Sequence, residues 1–399
     1  MKKLLFLGGL RYLIPVIKTA KKMGHYVITC DYLPNNIAHQ YSDEYHNLNI
    51  VDKEAVLTLA KKLEIDGIMS FAVDPGVTTA AYVAEKLNLP CPGPYQSIKI
   101  LQNKGLFRQF LEQHHFNVPR SKCYTKLDKA LEEFDSFDLP VIVKPVDSAG
   151  SKGVTKVSKK TELEHAITHA LSASPSKNFI IEDYLKSKNH SSDSDCFSVN
   201  GKFEFISFSS QRFDDSSPNP YVPSAYSWPS SISKKNQEEL KSELQRLIEL
   251  LGMKSSVYNI EVRETQDDRA YIMEVSPRGG GNRLSEVLKL ATGTDLISCA
   301  INAALGAEIG KIQDVAYEGE WAEIILYSNH TGQFKELKID TVLDKYIKEV
   351  DLWIEEGDQV NAFTGANEAI GTLVLQFDSA EQLENIISEY SNYIEVIVE

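Results

Sequence analysis

The chain reads Tyr258-Asn-Ile-Glu-Val-Arg-Glu264, then Thr265-Gln-Asp-Asp-Arg-Ala270, then Tyr271-Ile-Met-Glu-Val-Ser-Pro-Arg278. Apolar and polar residues alternate on both sides of the Asp-Asp pair, which predicts a β-hairpin. If the turn centres on Asp267 and Asp268, paired residue numbers sum to 535 and Glu261 lies directly opposite Glu274. Directly opposed Cβ atoms lie about 4.5–5.5 Å apart, and like charges at that distance repel unless a cation lies between them. The hairpin therefore predicts a Mg²⁺ site, with an ordinary solvent-facing glutamate pair as the alternative.

The composition excludes several classes of protein. The 399 residues suffice for two or three domains, and 42% hydrophobic with 25% charged residues is ordinary globular composition. A formal charge of -14 and a pI near 5.2 argue against a nucleic-acid or anionic-membrane surface, so a polyanionic ligand must be met by a local basic pocket. We find no apolar run of membrane-spanning length and no signal peptide, and expect a cytoplasmic location. The five scattered cysteines lack a CxxC pair and predict neither disulfides nor zinc.

The first 90 or so residues alternate between strand and helix patterns. Strands are predicted at 3–9, 26–31 and 67–71, and helices at 12–23, 53–63 and 78–87, which together indicate an open parallel sheet. The Gly8-Gly9 turn suggests dinucleotide binding, but the full G-x-G-x-x-G pattern is absent, so a nicotinamide oxidoreductase is a weaker alternative. Pro90-Cys-Pro-Gly-Pro94 is a rigid connector and marks the first domain boundary.

Two lysines in the next segment have unusual settings. Lys104 lies in a helix predicted from Ser97 to His114, where a solvated lysine is the alternative. Lys144 lies inside the apolar strand 140–145 and needs an anionic partner if it is buried. The loop 146–154 that follows carries glycine, serine and Lys152, and its backbone N–H groups could meet phosphate oxygens. The sequence therefore predicts a phosphate-binding region between these two lysines.

The following segments are predicted from their composition. Strand 178–185 becomes polar at Glu182, where it could offer acceptors to the amino group of a base or end as an edge strand in water. Residues 187–194 indicate an exposed loop, 203–209 a strand, 213–228 an irregular loop or mobile cover, and 234–251 a helix. From Gly306 onward short strands at 320–327, 350–353 and 371–377 and a helix at 379–390 indicate a small α/β unit.

In four elements, taken in chain order, the sequence resembles the ATP-grasp superfamily, of the carboxylate–amine ligase type. The four elements are Lys104, Lys144 with its glycine loop, Ile180-Ile-Glu-Asp-Tyr-Leu185 and Glu261…Glu274-Val-Ser-Pro-Arg278. The resemblance spans about residues 1–306. It implies a Rossmann-like or flavodoxin-like α/β domain at 1–94, a two-lobed ATP-grasp domain at 95–306 and a small C-terminal α/β subdomain at 307–399. The implied cofactors are ATP and Mg²⁺.

The resemblance also implies a role for each matching residue. Lys104 and Lys144 would bind nucleotide phosphates, and the loop would close over them. Glu182 and the following strand end would hold adenine, Glu261 and Glu274 would bind Mg²⁺, and Arg278 would stabilise the transferring phosphoryl group. The full set implied for ATP is Lys104, Lys144, Ser148, Gly150, Ser151, Lys152, Gly153, Glu182, Asp183, Tyr184 and Leu185.

Two positions depart from the family pattern. Ser276 stands where the family usually has an asparagine that binds the metal, and a serine hydroxyl is a shorter and weaker ligand. The usual ribose-binding glutamate has no clear counterpart, and His190, Asp193 and Asp195 are the candidates. The loop after Arg278 leads into a helix N-terminus that can receive a carboxylate or an acyl phosphate, so Gly280, Asn282 and Arg283 are predicted substrate residues.

These features predict an ATP-dependent ligase that forms an acyl phosphate from a carboxylate substrate and couples it to an amine, with ADP and phosphate as products. The C-terminal unit would help to wall the acceptor site. An ATP-binding regulatory protein with a degenerate site is the alternative of another class. Family relatives are often dimers, which implies a homodimer, although no residue pattern in the sequence establishes it.

Overall fold

The N-terminal part of the chain is an open parallel sheet flanked by helices, as predicted. The computed structural model describes residues 1–313 and 315–399. The sheet has the strand order β3-β2-β1-β4. Its elements are β1 (Lys3–Leu7), α1 (Ile14–Lys22), β2 (Tyr26–Asp31), β3 (Glu44–Asn47), α2 (Lys53–Leu63), β4 (Gly67–Met69) and α3 (Asp74–Leu87).

Packing explains the glycine turn after β1. Gly8 has a φ of +121°, and a Cβ there would lie 2.6 Å from Val73 Cγ2. A Cβ on Gly9 would lie 2.4 Å from the ring of His39. The two glycines are required by this close packing, so the turn needs no dinucleotide to explain it.

The helix predicted from Ser97 to His114 is instead two helices, α4 (Tyr95–Gln102) and α5 (Lys104–Gln113). Asn103 interrupts them with an extended backbone, and its side chain accepts a hydrogen bond from the N–H of Leu106 at 3.0 Å. It is thus an N-cap residue. Lys104 consequently begins a helix rather than lying within one.

The first lobe of the central region is an antiparallel sheet, in the order β5-β8-β6-β7, covered by two helices. Val141, Val143 and Ile181 supply its buried apolar face. Its elements are β5 (Ser121–Tyr124), α6 (Leu127–Glu133), β6 (Val141–Pro145), β7 (Thr155–Val157), α7 (Leu163–Ala173) and β8 (Phe179–Asp183).

The second lobe contains strands that its polar sequence concealed. The predicted exposed loop at 187–194 is wrong in its last part, because a central strand begins at Ser192 and its serines are buried with hydrogen-bond partners such as Ser207 and Ser209. The predicted strand at 203–209 ends at Phe205, and the predicted loop at 213–228 contains a strand. The elements are β9 (Ser192–Val199), β10 (Lys202–Phe205), β11 (Ser210–Phe213), β12 (Pro223–Trp228), α8 (Lys234–Leu250), β13 (Ser256–Glu264) and β14 (Ala270–Ser276).

In the hairpin β13–β14 the two glutamates pair as predicted, but the register between them and the turn differs from the predicted register. Glu261 lies opposite Glu274, and pairs on that side sum to 535. Nearer the turn, Glu264 pairs with Ala270 and the sum is 534, because a bulge at Met273 adds one residue to β14. The observed turn centre therefore lies half a residue from the predicted one. The extra residue in β14 shifts the register by one, which brings Glu261 opposite Glu274.

The C-terminal strands form a sheet that crosses the predicted boundary at residue 306. β11 and β12 join three later strands in the order β11-β12-β15-β19-β17, and a smaller sheet has the order β18-β16-β20. The remaining elements are α9 (Leu284–Thr292), α10 (Leu296–Ala304), β15 (Glu320–Leu326), β16 (Gly332–Ile339), β17 (Ile347–Leu352), β18 (Gln359–Val360), β19 (Gly371–Phe377), α11 (Ala380–Ile387) and β20 (Ile394–Val398). In the described residues, no helix combines the length and apolar character needed to span a bilayer.

Candidate functional site

Three neighbouring strands place two rows of polar side chains on one sheet face. Asp193 on β9 pairs with Glu261 on β13, which pairs with Glu274 on β14. Two residues along, Asp195, Asn259 and Ser276 form the second row in the same register. Side chains two residues apart on a strand share a face, so this face concentrates four carboxylates beside one amide and one hydroxyl.

The acidic row is crowded. Burial first, and then the neighbouring carboxylate of Glu261, raise the pKa of Asp193 to about 7. Asn259 donates a hydrogen bond to Asp193 Oδ1 at 2.6 Å. Burial also raises the pKa of Asp195 to about 6, although Ser285 and the N–H of Gly280 donate to it. Burial and the crowding of carboxyl groups therefore oppose full ionisation of this face.

Lys104 brings a positive charge to this row. Its Nζ lies 3.1 Å from Glu274 Oε2 and donates to the backbone oxygen of Ser148 at 3.0 Å. Burial alone would lower the pKa of Lys104, but the carboxylates of Glu274, Asp74 and Glu261 outweigh it and raise the pKa. The helix lysine, the glycine loop and the glutamate pair thus meet at one place.

Glu261 and Glu274 suit a hard divalent cation. They lie directly opposite each other, and their side chains are 35% and 30% exposed, so solvent and ligand oxygens can reach both. Mg²⁺ binds through one or two carboxylates, with waters and phosphates as its other ligands. The described part of the chain contains no set of three or more Asp, Glu, His or Cys side chains arranged around a metal position. The donor set accordingly fits a Mg²⁺ ion shared with a phosphate-bearing ligand better than an all-protein metal cage.

Lys144 and Glu182 form a buried ion pair. Arg108, one turn after Lys104 on α5, also donates from Nε to Glu182 Oε2 at 3.1 Å. Despite the burial that opposes ionisation, these two cations hold the pKa of Glu182 at about 2. Burial lowers the pKa of Lys144. The contact of Glu182 with adenine stays a prediction, and the structure adds that Glu182 anchors the strand lysine.

The other nucleotide candidates lie in the loop after β6 and at the end of β8. Gly150, Ser151 and Gly153 all have φ near +60 to +76°, and Ser151 Oγ donates to the backbone oxygen of Tyr221 at 2.8 Å. Lys152 is exposed. At the end of β8, Asp183 pairs with Arg120 at 3.0 Å, Lys156 Nζ lies 4.0 Å from the ring centre of Tyr184, and Leu185 accepts from Arg263.

Arg278 is held by a residue of the parallel domain that sequence reasoning missed. Its Nε and Nη2 donate to the two oxygens of Asp74 at 2.9 and 2.8 Å. Ser276 Oγ donates to the same carboxylate at 3.0 Å and accepts from Gln102 at 2.7 Å. Ser276 is therefore engaged in positioning Asp74, and its proposed role as a metal ligand gains no support from these contacts. Asp74 follows the carboxyl end of β4, where ligand-binding residues gather in open α/β sheets.

The loop after Arg278 is tied to other parts of the chain. The N–H of Gly280 donates to Asp195, and Asn282 accepts from Tyr12 at 2.8 Å. Arg283 pairs with Glu349 at 2.5 Å and Glu286 at 3.3 Å. The predicted anion-receiving groups Gly280 and Arg283 already have acidic partners here, so their substrate roles stay predictions.

The three ribose candidates also have partners within the chain. His190 lies 2.8 Å from Arg212 through its Nε2. Asp193 and Asp195 lie on β9 and not in the predicted loop. Asp195 binds the loop that follows Arg278, so its position indicates a structural role.

The chain combines a parallel α/β domain with two antiparallel sheets, in which Lys104 lies beside Glu274 and Lys144 pairs with Glu182. This fold is the one that the sequence led us to expect. Residues 137–286 match the family model described as "ATP-grasp domain". The match covers less than half of the chain and includes Lys144, Glu182 and the Glu261–Glu274 pair.

Individual relatives share moderate identity with this chain. It is 24% identical over 335 residues to the carbamoyl phosphate synthase large chain of Clostridium perfringens (strain 13 / Type A), covering 82% of this chain and 30% of that protein. It is 28% identical over 189 residues to the formate-dependent phosphoribosylglycinamide formyltransferase of Bacteroides thetaiotaomicron, covering 47% and 48%. The chain thus spans less than half the length of either relative.

Solved structures extend the likeness to the whole chain. The L-amino acid ligase from Bacillus licheniformis superposes with a TM-score of 0.79 at 20% identity, covering 100% of this chain and 99% of that one. At this identity the likeness shows the fold. It includes the C-terminal sheets, which the family model does not reach.

Proposed function

We propose that the protein is an ATP- and Mg²⁺-dependent ligase that activates a carboxylate as an acyl phosphate and couples it to an amine. The convergence of Lys104, the backbone of Ser148 and the Glu261–Glu274 pair carries this proposal. The ammonium group of Lys104 suits a nucleotide's terminal phosphates, and the opposed carboxylates suit the metal that accompanies them.

The ligand-free contacts indicate what each residue does when ATP binds. Lys104 neutralises Glu274 in this structure and would turn to the phosphates, which leaves Glu274 and Glu261 to hold the metal. Bound Mg²⁺ would neutralise phosphate charge. Lys144 stays oriented by Glu182, which Arg108 fixes in turn. The predicted adenine site would lie at Glu182, Asp183, Tyr184 and Leu185.

The chemistry needs positioning more than a protein nucleophile. A carboxylate oxygen of the substrate attacks the γ-phosphorus of ATP, the bond to the β–γ bridging oxygen breaks, and ADP leaves. The amine nitrogen then attacks the acyl carbon, inorganic phosphate leaves, and the nitrogen loses a proton. Arg278, held in one orientation by Asp74, would face the negative charge that spreads over the transferring group.

The alternative of a nucleotide-binding regulator without turnover is not favoured. The family match covers residues 137–286, which include Lys144 and the Glu261–Glu274 pair, and the relatives named above are enzymes by name. Ser276, whose departure from the family pattern suggested lost turnover, has a structural role beside Asp74.

The test is an ADP-release assay with purified protein, ATP, Mg²⁺, a pool of carboxylates that includes amino acids, and a pool of amines. We expect ADP and phosphate only when a carboxylate and an amine are both present, and none with ATP and Mg²⁺ alone. Amino acids carry both groups and can serve as either substrate. ATP binding without ADP release in any combination would contradict the proposal.

A further inference from the structure

Glu323 is a buried carboxylate that the proposed chemistry does not use. It lies in the middle of β15, paired with Tyr226 on β12 and Val374 on β19, and its side chain is 0% exposed. Within the described residues, neither carboxylate oxygen has a hydrogen-bond partner. Burial raises the pKa of Glu323 well above its ordinary value, so the carboxyl group is held neutral in the absence of a cationic partner. Two buried oxygens without hydrogen-bond partners at the centre of a five-stranded sheet still require an explanation.

The surroundings of Glu323 include polar groups from β9, β12, α9 and the turn after β1. Tyr12, Tyr226, Arg283, Glu286 and Asp195 lie close enough to Glu323 to interact with it electrostatically. Tyr12 belongs to the turn after β1, and its hydroxyl donates to Asn282 at 2.8 Å and to the backbone oxygen of Ala366 at 3.5 Å. Movement of these loops would open the region around Glu323 without unpacking the sheet.

A chain of hydrogen bonds leads from this region to the acidic row. Asn282 Nδ2 donates to the hydroxyl of Tyr226 at 3.3 Å, and that hydroxyl lies 3.5 Å from Asp193 Oδ2. Asp193 is opposite Glu261 in register. The region around Glu323 is therefore continuous with the candidate phosphoryl-transfer site.

The local charges favour a cationic ligand group. Arg283 is the nearby cation, but Glu349, Glu286 and Asp351 lie within 2.5, 3.3 and 3.9 Å of its guanidinium. Its charge is already matched, and the salt bridge that would neutralise Glu323 is absent from the described contacts. A positive group from a bound molecule would supply the missing partner.

We propose that Glu323 is a specificity-determining residue that binds the protonated amino group of an amino-acid substrate, with Tyr12 and Asn282 closing over it. This inference rests on the proposed function and assigns its substrate class. Selection of this kind discriminates strongly, because an analogue that lacks the ammonium leaves the buried carboxylate unpaired.

The experiment uses two matched probes, a pool of L-amino acids and a pool of the same carboxylic acids without the α-amino group. Thermal unfolding is followed with each pool in the presence of Mg²⁺ and a non-hydrolysable ATP analogue, because a ligand that binds the native state raises the midpoint. We expect the amino-acid pool to raise the midpoint of the wild type and the deaminated pool to leave it unchanged.

The variants separate the role of Glu323 from a general effect. Glu323→Gln keeps the shape but cannot form a carboxylate, so it is expected to fold and to bind the amino-acid pool at least tenfold more weakly. Glu320→Gln, at the start of the same strand, is the control and should keep the wild-type response. If Glu323→Gln does not fold, Glu323→Asp, which retains the charge but shortens its reach, is expected to weaken binding in the same direction.

An equal rise of the midpoint with both pools, no rise with either pool, or a full response in Glu323→Gln would overturn the inference. Its failure differs from failure of the proposed function. If ADP release requires a carboxylate but is equal with and without an α-amino group, the role of Glu323 is excluded and the ligase function stands. If no combination of carboxylate and amine gives ADP release, the ligase function is excluded, whatever the binding result.

Discussion

Asp74 and Arg278 form a bidentate ion pair, with N–O distances of 2.9 and 2.8 Å, between the first turn of a helix in the parallel domain and the end of the functional hairpin. Burial opposes the ionisation of Asp74, but the guanidinium of Arg278 outweighs it and lowers the pKa of Asp74. A planar, two-point contact fixes the direction of a guanidinium as well as its charge. The parallel domain thus sets the orientation of the arginine that we place at the reacting phosphoryl group.

Replacing Asp74 by Asn should lower kcat while leaving KM for ATP nearly unchanged. The amide keeps the size of the side chain but cannot accept two charge-assisted hydrogen bonds, so Arg278 loses its fixed direction. We expect at least a tenfold loss in kcat, which corresponds to about 1.4 kcal/mol. Steady-state kinetics give both parameters. Glu85→Gln, an exposed position on the same helix, is the control, and an unchanged kcat in Asp74→Asn would show that Arg278 needs no such support.

Replacing Glu274 by Gln should abolish ADP formation and weaken metal binding. The amide removes one of two opposed carboxylates, so the site loses a charge that Mg²⁺ requires. Binding of Mn²⁺, followed by electron paramagnetic resonance with ADP present, is an assay that does not depend on turnover. Glu238→Gln on the exposed face of α8 should behave like the wild type. Wild-type Mn²⁺ affinity and turnover in Glu274→Gln would discredit the metal site.

Replacing Lys104 by Met should weaken ATP binding by about tenfold or more, because the phosphates lose a cation placed between the loop and the glutamate pair. Fluorescent-nucleotide titration measures the affinity directly. The matched control is Lys99→Met, an exposed lysine on the preceding helix. Equal affinities for the two variants would mean that Lys104 serves only to neutralise Glu274 in the free protein.

The Glu182 ion pairs should make stability depend on pH. The pKa of Glu182 lies at about 2 in the folded protein, below its ordinary value of 4.5. A carboxyl group with a lowered folded-state pKa contributes stability above its unfolded-state pKa, and this contribution is lost as the pH falls from about 4 towards 2. The shift corresponds to on the order of 3 kcal/mol.

Urea unfolding of the wild type and of Glu182→Gln at pH 6, 4 and 3 measures this contribution. We expect the variant to be less stable at pH 6, since Arg108 and Lys144 lose their shared partner, and the difference to shrink as the pH falls. A difference that stays constant over this range would mean that the loss comes from packing alone.

The sequence was most informative where local pattern and local structure coincide. The alternating hairpin, the βαβ units and the lysine inside an apolar strand each follow from short-range periodicity, and they located Glu261, Glu274 and Lys144 on the correct elements. No sequence pattern marks the bulge at Met273. The predicted pairing of Glu261 with Glu274 is correct, although the turn centre assumed for it lies half a residue from the observed one.

Features set by long-range contacts could not be predicted in the same way. β9 is rich in serine and aspartate, as exposed loops are, and it is a central strand because its hydroxyls find partners elsewhere in the chain. Asp74 is separated from Arg278 by 204 residues, and Arg108 from Glu182 by 74. No single-sequence pattern specifies such contacts. They depend on how the domains pack.

The most direct test of the central claim follows an oxygen atom. The substrate pool is labelled with oxygen-18 in its carboxylate groups and incubated with enzyme, ATP, Mg²⁺ and the amine pool, and the inorganic phosphate is examined by mass spectrometry. Activation through an acyl phosphate predicts that each phosphate released carries one labelled oxygen from the carboxylate. Release of ADP together with unlabelled phosphate would contradict it.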